Sequence, residues 1–369
     1  MELQKEHISF ISKPFLSSLL KLRYADIEPY IIAFLLFLLV PPYFVWQAPR
    51  TFFAFIAFIF LLRNIRFGSI HHLLTFFFMF LIYAHIALKH EMSLLIVFST
   101  ILMPIIFFVP INVMFDISKA FTKIFAITII PSIFVFIIVY YLKINIGSSM
   151  LEPLNEVKTY NYLQYPFLVH PNSPLLSLLP RFHAYYDEPG VVGTVSAVLL
   201  ISTRFDLKNK FNIPILIAGM ISFSFAFYAS VAIYTLLFAG TRYKIFAVVI
   251  LFLALGYLST NEIISKYVID RFKVEDGQLA GDNRTKEGFD NFFSDFSRST
   301  DFYFGIGAEK TANVAEGSSS FKVPVTRYGI IAFGLLIIIM VLYGFFELGF
   351  TKQFYIYLFI LVLILYQRP

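Results

Sequence analysis

Charge is scarce in this 369-residue chain: 14% of the residues are Asp, Glu, Lys or Arg, whereas 59% are hydrophobic. A typical soluble domain carries about 25% charged residues, so a water-soluble fold is not expected. Cysteine is absent, which excludes disulfides and thiolate metal sites. No Asp-x-Asp pair occurs either, so the sequence lacks that common way of holding a divalent metal ion.

The sequence instead contains long runs of apolar residues, and its mean hydropathy is +0.77. They predict spans at about 30–46, 51–62, 69–88, 92–115, 124–142, 189–203, 213–239, 245–260, 328–346 and 354–366. A straight crossing needs roughly 20 residues, so the run 213–239 is too long for one span. We expect it to break near residues 222–225 into two short helices in a tight hairpin, which makes about eleven crossings.

The basic residues assign a side to each turn, because Lys and Arg accumulate in cytoplasmic loops. With the N-terminus inside, the inner segments collect Lys5, Lys13, Lys21, Arg23, Arg63, Arg66, Lys119, Lys123, Arg204, Lys208, Lys210, Arg242, Lys244 and Lys352. The short outer loops hold only Arg50 and Lys89. The N-terminal segment is expected to stay uncleaved, since no small-residue cleavage site follows the first apolar run.

The sequence therefore predicts an all-α polytopic integral membrane protein with about eleven transmembrane helices and two long periplasmic loops. The expected divisions are a cytoplasmic segment 1–26, helices 1–5 over 27–142, the first loop 143–188, helices 6–9 over 189–260, the second loop 261–327, and helices 10–11 over 328–369. No Asp, Glu, Lys or Arg falls inside a predicted span. Such residues usually mark ion or proton pathways, so a coupled transporter is disfavoured and chemistry is expected in the two outer loops.

Five short stretches in the second half of the chain are informative in their order and spacing. They are "PRFHAYYDEPGVVG" (180–193), "MISFSFAFYASVAIYTLLF" (220–238), "NRTKEGFDNFF" through "DFYFGIGAE" (283–309), "SSSFKVPVTRYGIIAFGLL" (318–336) and "YQRP" (366–369). In this order they resemble the O-antigen polymerases of the Wzy type. The first stretch is similar to the family's Arg–Phe/Tyr–Glu–Pro–Gly segment, which opens the helix after a long outer loop.

The resemblance implies a glycosyltransferase of the bacterial inner membrane whose active site is periplasmic. Such polymerases move a growing glycan from one undecaprenyl pyrophosphate carrier onto the non-reducing end of another lipid-linked repeat unit. The implied reaction needs neither a metal nor a cofactor. The implied partners are the lipid-linked oligosaccharide, the bilayer, a chain-length regulator and a flippase. The outer loops carry acids and bases in near balance, which gives nucleic-acid binding little support.

The same resemblance implies roles for individual residues. Arg181 aligns with the family's arginine and would contact the pyrophosphate, because its planar fork of donors suits phosphate; the alternative is an interfacial arginine that reaches lipid headgroups. Glu188 would be the general base or an orienting carboxylate; the alternative is ordinary chemistry at a helix start, since Pro189 follows it. His183 and Asp187 would contact substrate, although a lone interfacial histidine is often structural.

Two arginines of the second loop, Arg271 and Arg284, are further candidates for phosphate or glycan binding. The alternative is a solvated face in which they pair with neighbouring carboxylates. The spacing of ten residues between Arg and Gly that the family shows fits neither loop, because nine residues separate Arg271 from Gly281 and eleven separate Arg181 from Gly193. Gly193 is expected to permit close packing, and "GIG" (305–307) is expected to form a turn.

Three other functions compete with the polymerase. An O-antigen ligase shares the chemistry, but ligases carry a histidine before the helix start in the window that here reads "SSSFKVPVTRYG" without one. A metal-dependent transferase with many membrane helices has a carboxylate pair in its first outer loop, which here reads "QAPR". A lipid or polysaccharide transporter is the alternative that is not an enzyme.

Overall fold

The computed structural model describes residues 24–66, 70–89, 108–153, 160–172, 180–238, 287–315 and 320–367, with residues 240, 244, 274–275 and 278–279 besides. Its helices are α1 (Tyr24–Leu39), α2 (Arg50–Leu62), α3 (Ile70–Lys89), α4 (Ile111–Phe136), α5 (Pro189–Ser202), α6 (Asn212–Ile221), α7 (Phe225–Phe238), α8 (Glu287–Phe296), α9 (Asp301–Phe304), α10 (Ala308–Val314), α11 (Lys322–Leu348) and α12 (Lys352–Gln367). The predicted span 245–260, most of the span 92–115 and the N-terminal residues 1–23 lie outside the described residues.

Two described helical stretches are long and apolar enough to cross a membrane, Ile111–Tyr141 and Lys322–Leu348. Shorter apolar helices of 10–17 residues accompany them. Many large apolar side chains point outward from these helices, among them Phe134 and Val362 at 62% and 63% exposure. Exposed apolar surface of this kind suits a lipid environment better than water. The fold is thus mostly helical and indicates a membrane protein, while the count of about eleven crossings stays a prediction.

One predicted boundary is wrong. The charges at residues 116–123 led us to expect a cytoplasmic turn there, but helix α4 runs through them without a break. The helix begins after Pro110, whose ψ of 140° is extended and therefore non-helical. The charged residues belong to the first turns of α4, where Lys119 Nζ donates to Asp116 Oδ1 at 2.9 Å on the exposed helix surface.

The predicted break in the run 213–239 is confirmed, because α6 and α7 are separated by residues 222–224. The two helices also reverse direction alongside α5. Asn212 Nδ2, at the start of α6, donates to Thr203 Oγ1 at 2.9 Å just beyond the end of α5. Near the end of α7, the ring of Tyr234 lies 5.3 Å from the ring of Phe205, which also follows α5. The chain therefore leaves this end of α5 and returns to it.

The length of this hairpin limits what it can span. Helix α6 has 10 residues and rises about 15 Å, roughly half of the ~30 Å hydrocarbon core of a bilayer. Helix α7 has 14 residues and rises about 21 Å. Two full crossings by these helices therefore stay a prediction.

Residues predicted to be cytoplasmic meet at one end of the bundle. Lys123 Nζ donates to the hydroxyl of Tyr30 at 2.8 Å and lies 6.0 Å from the centre of the Phe211 ring. Lys352 Nζ donates to the carbonyl of Phe238 at 3.1 Å. Lys123 thus connects α4 with α1 and with the residue before α6, and Lys352 connects the start of α12 with the end of α7, as the alternating topology requires.

Residues predicted to lie outside meet at the opposite end, which we call the outer end. The amide of Tyr43, after α1, donates to the carbonyl of Tyr185 at 2.8 Å. The ring of Tyr140, at the end of the α4 stretch, lies 4.4 Å from the ring of His170 in the first long loop. The first loop thus packs on the ends of helices that are predicted to run outward.

Cysteine labelling can test the sidedness of these ends, because the natural chain has no cysteine to give a background. Ser148 lies in the first long loop and Lys208 in the α5–α6 turn, and both side chains are exposed. In intact cells we expect a membrane-impermeant maleimide to label Ser148→Cys fully, and Lys208→Cys only after permeabilisation. Equal labelling of both in intact cells would contradict the predicted topology.

The first long loop contains a small antiparallel sheet that the all-α expectation omitted. Strands β1 (Ser149–Leu151), β2 (Tyr162–Tyr165) and β3 (Leu168–Pro171) pair in that order. The β2–β3 connection is a two-residue turn in which Phe167 has a positive φ of 61°. Strands β4 (Val274–Glu275) and β5 (Gln278–Leu279) form a second antiparallel pair. Strands of two to four residues are short even by the standards of sheets, so their sequence pattern is weak.

The last long helix is bent where two glycines meet. Gly329 interrupts α11 with φ 84°, and Gly305 precedes α10 with φ 77°. A Cβ on Gly305 would clash with the carbonyl of Arg327, and a Cβ on Gly329 would clash with the carbonyl of Tyr303. The amide of Gly307 donates to Arg327 O at 3.1 Å. The expected turn at "GIG" is confirmed, and it also fastens the second loop to the bend in α11.

Candidate functional site

The segment 181–188, which we call the lip segment, is held at the outer end by three parts of the fold. The amide of Phe182 donates to Ile221 O at 3.1 Å, at the end of α6. The carbonyl of Ala184 accepts from the amide of Val169 in β3 at 2.7 Å, and the carbonyl of Tyr185 accepts from the α1–α2 connection. Most of the segment is buried. Eight residues are thereby held in one shape before they lead into α5.

Arg181 occupies the first position of the lip segment and reaches the α6–α7 turn. Its Nε donates to the carbonyl of Ser222 at 3.3 Å, and its Nη2 donates to the carbonyl of Phe223 at 3.0 Å. Phe223 has a positive φ of 46°, a conformation that costs about 1–3 kcal/mol for a residue other than glycine. Arg181 therefore satisfies carbonyls at a strained helix break, where the helix itself cannot.

These bonds give Arg181 a structural role at the α6–α7 turn, and its contact with pyrophosphate stays a prediction. Two of the five donors of a guanidinium are committed to main-chain carbonyls, and neither carbonyl neutralises the charge. The side chain is half-buried, so it does not extend freely to lipid headgroups. The structure makes Arg181 a positioning residue that also fixes a positive charge at the turn.

Glu188 is the residue that immediately precedes α5. Its backbone is extended, with φ −140° and ψ 137°, and its side chain does not cap the helix. Pro189 occupies the first helical position, as its fixed φ and missing amide favour. The positive end of the helix dipole stabilises an ionised carboxylate there. The predicted helix start is confirmed. The Glu188 carboxylate, however, does not accept the capping hydrogen bond that a side chain at this position often accepts from an amide of the first turn.

Asp187 and Glu188 lie near the phenol of Tyr162, which projects from β2. The Tyr162 hydroxyl donates to the main-chain carbonyl of Asp187. Burial is the main cause that raises the pKa of this phenol, and the charges of Tyr160, Asp187 and Glu188 raise it further. The phenol therefore remains a neutral donor at any physiological pH and links the sheet to the two carboxylates.

His183 is buried in an aromatic cluster beneath the sheet. Its ring lies 5.6 Å from that of His170 and 6.2 Å from that of Tyr162, and the Trp46 ring lies 5.7 Å from Tyr162. Burial lowers the pKa of His170 to about 4, so this imidazole is neutral at physiological pH. With 5% of its surface exposed, His183 packs within this cluster, and its contact with substrate stays a prediction.

At Gly193, the start of α5 packs so closely against the α6–α7 turn that there is no space for a side chain. A Cβ on Gly193 would clash with Ser224 Cβ and would lie 2.6 Å from Ser224 Oγ and 3.1 Å from Ser222 Oγ. The expected role of Gly193 in close packing is confirmed. The two serines of "SFSF" (222–225) are thus small enough to let the turn pack against Gly193.

This contact makes a direct prediction. We expect Gly193→Ala to lower the stability of the purified protein by about 1–3 kcal/mol, the usual cost of overpacking. Ser224→Gly removes the atoms that clash, so the double variant should recover most of the loss. Gly334→Ala in α11 is the control, because a Cβ there meets nothing within 4 Å. The measurement is thermal unfolding in detergent; additive losses in the double variant would contradict the contact.

The arginines predicted in the second loop, Arg271 and Arg284, lie outside the described residues. Arg327 was quoted in the sequence window but given no role, and the structure sets it at the bend of α11. The stretch Glu287–Phe296 forms an amphipathic helix with Phe289, Phe292 and Phe296 on one face. The spacing of these phenylalanines at i, i+3 and i+7 could have revealed the helix.

Comparisons with known proteins give no relative. No protein-family model matches the chain, and no curated protein or solved structure resembles it. The residues and their geometry therefore carry the functional argument. Within the described ranges, no group of three or more His, Asp and Glu side chains could hold a metal ion. What the site offers is a fixed cation, two adjacent carboxylates at a helix start and a neutral phenol.

Proposed function

We propose that this protein is a surface-polysaccharide polymerase of the bacterial inner membrane. It transfers a glycan chain from undecaprenyl pyrophosphate onto the non-reducing end of another lipid-linked repeat unit. The observation that supports this proposal most is the lip segment. Arg181 and Glu188 lie at its two ends, and hydrogen bonds hold the segment to the end of the bundle on which the first long loop packs.

The chemistry needs these groups for separate reasons. A sugar hydroxyl attacks the anomeric carbon of the donor glycan, and Glu188 takes the hydroxyl proton as general base. The bond between that carbon and the pyrophosphate oxygen breaks, and the pyrophosphate leaves on its lipid carrier. Negative charge grows on the leaving oxygen, where a fixed positive charge such as that of Arg181 stabilises it. We propose that the reaction uses no metal ion.

Ligation is the second candidate. A ligase would use the same donor but pass the glycan to lipid A core, and its characteristic histidine is absent from the window 318–329. Gel analysis of lipopolysaccharide from a deletion strain separates the two functions. A single repeat unit capped on the core is the result expected for a polymerase. Long chains that accumulate on the carrier lipid would identify a ligase, and unchanged lipopolysaccharide would reject both.

A further inference from the structure

A cavity of about 430 Å³ lies between α3 and α11, apart from the lip segment. Its walls are mostly apolar side chains, with Phe78 and Leu81 from α3 and Leu335, Ile338 and Leu342 from α11, and His85 of α3 also lines it. An apolar cavity of about 150 Å³ is enough to bind benzene, so this one accommodates a substantially larger hydrocarbon. Residues 331–342 of α11 extend about 16 Å along the helix axis. The cavity is thus an elongated apolar groove that follows α11.

The two ends of the groove differ in character. Helices α3 and α11 run antiparallel, since His72 near the start of α3 pairs with Glu347 near the end of α11 at 2.6 Å. The opposite end is bordered by Tyr303 and Tyr328, beside the bend of α11. In the predicted topology this second end is the outer one.

Arg327 stands at the outer end of the groove. Its guanidinium lies 5.7 Å from the centre of the Tyr328 ring, and Tyr328 lines the groove. Among the residues that the structure describes, none accepts a hydrogen bond from the buried Nε of Arg327, and none forms an ion pair with it. An arginine retains its charge at any physiological pH, so this end of the groove attracts an anion.

We propose that the groove holds the polyprenyl tail of one lipid-linked substrate, with its phosphate at Arg327. Hydrocarbon contacts along α3 and α11 match the tail, and a cation at one end of an apolar groove matches a phosphorylated head. The inference rests on the proposed function, which consumes two lipid-linked substrates and therefore needs two tail paths. The lip segment serves one of them, and the groove beside Arg327 serves the other.

Photocrosslinking tests the groove directly. The full chain, in nanodiscs, is irradiated with an undecaprenyl phosphate that carries a diazirine in its tail, and the labelled peptides are identified by mass spectrometry. Adducts are expected on α3 and α11. Leu335→Trp fills the groove and should reduce these adducts roughly tenfold, as should Arg327→Gln. Gly334→Trp is the matched control, because Gly334 neighbours Leu335 but faces open space, and its labelling should equal that of the natural chain.

The outcomes separate this inference from the function. Unchanged adducts in Leu335→Trp and in a second groove variant, Leu342→Trp, would overturn it. Displacement of the probe by phosphatidylglycerol as readily as by unlabelled undecaprenyl phosphate would also overturn it, because the occupant would then be bulk lipid. Groove adducts in a chain whose deletion leaves lipopolysaccharide unchanged would support the groove and reject the polymerase. Normal polymer without groove adducts would reject the groove alone.

Discussion

Arg181→Lys is expected to reduce polymer by at least tenfold in a complemented deletion strain. Lysine keeps the positive charge, but a single ammonium group cannot reproduce the fork that reaches two carbonyls. In the structure those carbonyls belong to Ser222 and Phe223. A hydrogen bond from a charged donor contributes about 1.5–3 kcal/mol, and about 1.4 kcal/mol corresponds to a factor of ten in rate. The measurement is the length distribution of polymer on a gel, normalised to membrane protein by immunoblot.

The control for this substitution is Arg298→Lys, at an exposed position of the second loop, which should leave the ladder unchanged. A positioning role also predicts that Arg181→Lys lowers the midpoint of thermal unfolding, whereas a purely electrostatic role does not. Near-normal ladders from Arg181→Lys at normal expression would contradict the positioning role, because lysine keeps the charge but loses the fork. A charge at this position would then be sufficient for activity.

Glu188→Gln is expected to lower turnover by about 10²–10⁴, the usual contribution of a general base. Glutamine keeps the shape and hydrogen-bonding capacity of the side chain but cannot take a proton. The fold should tolerate the change, because the Glu188 side chain does not cap α5 and the favourable interaction with the helix dipole amounts to about 0.3–1 kcal/mol. Turnover is measured on purified protein with lipid-linked repeat units as substrate.

Glu152→Gln provides the matched control, because Glu152 lies exposed in the same long loop after β1. It should turn over at the natural rate. Binding of the lipid-linked substrate should also survive in Glu188→Gln, so kcat falls while KM changes little. Equal turnover of Glu188→Gln and the natural chain would remove Glu188 from the chemistry without affecting the fold.

The sequence predicted those features that depend on local patterns. The excess length of the run 213–239 predicted a break near residues 222–225, and the structure breaks the helix at 222–224. The order Asp-Glu-Pro-Gly predicted the start of α5. Small residues at "GIG" predicted a turn, since only glycine adopts positive φ at no cost. In each case the residues that made the feature recognisable lie within one short stretch.

The sequence did not predict features that depend on contacts between residues far apart in the chain. The contact of Arg181 with two main-chain carbonyls at a helix break was not predicted, because such partners have no signature in residue types. The sheet of the first loop was missed because strands of three or four residues carry little periodicity. Helix α4 passes through residues 116–123, because a few charged side chains do not by themselves end a helix. Charge patterns indicate sidedness but not where a helix begins.

The path of the lip segment has a consequence for biogenesis. Its main-chain partners are Tyr43, Val169 and Ile221, and Arg181 also needs the carbonyls of Ser222 and Phe223. A ribosome delivers the lip segment before it delivers α6 and α7, so three of these five partners are not yet synthesised when the segment emerges. Assembly is completed when the α6–α7 hairpin inserts and brings its turn to Gly193. An insertase that delays this hairpin would therefore leave a chain in which Arg181 is present but its carbonyl partners at the turn are not yet in place.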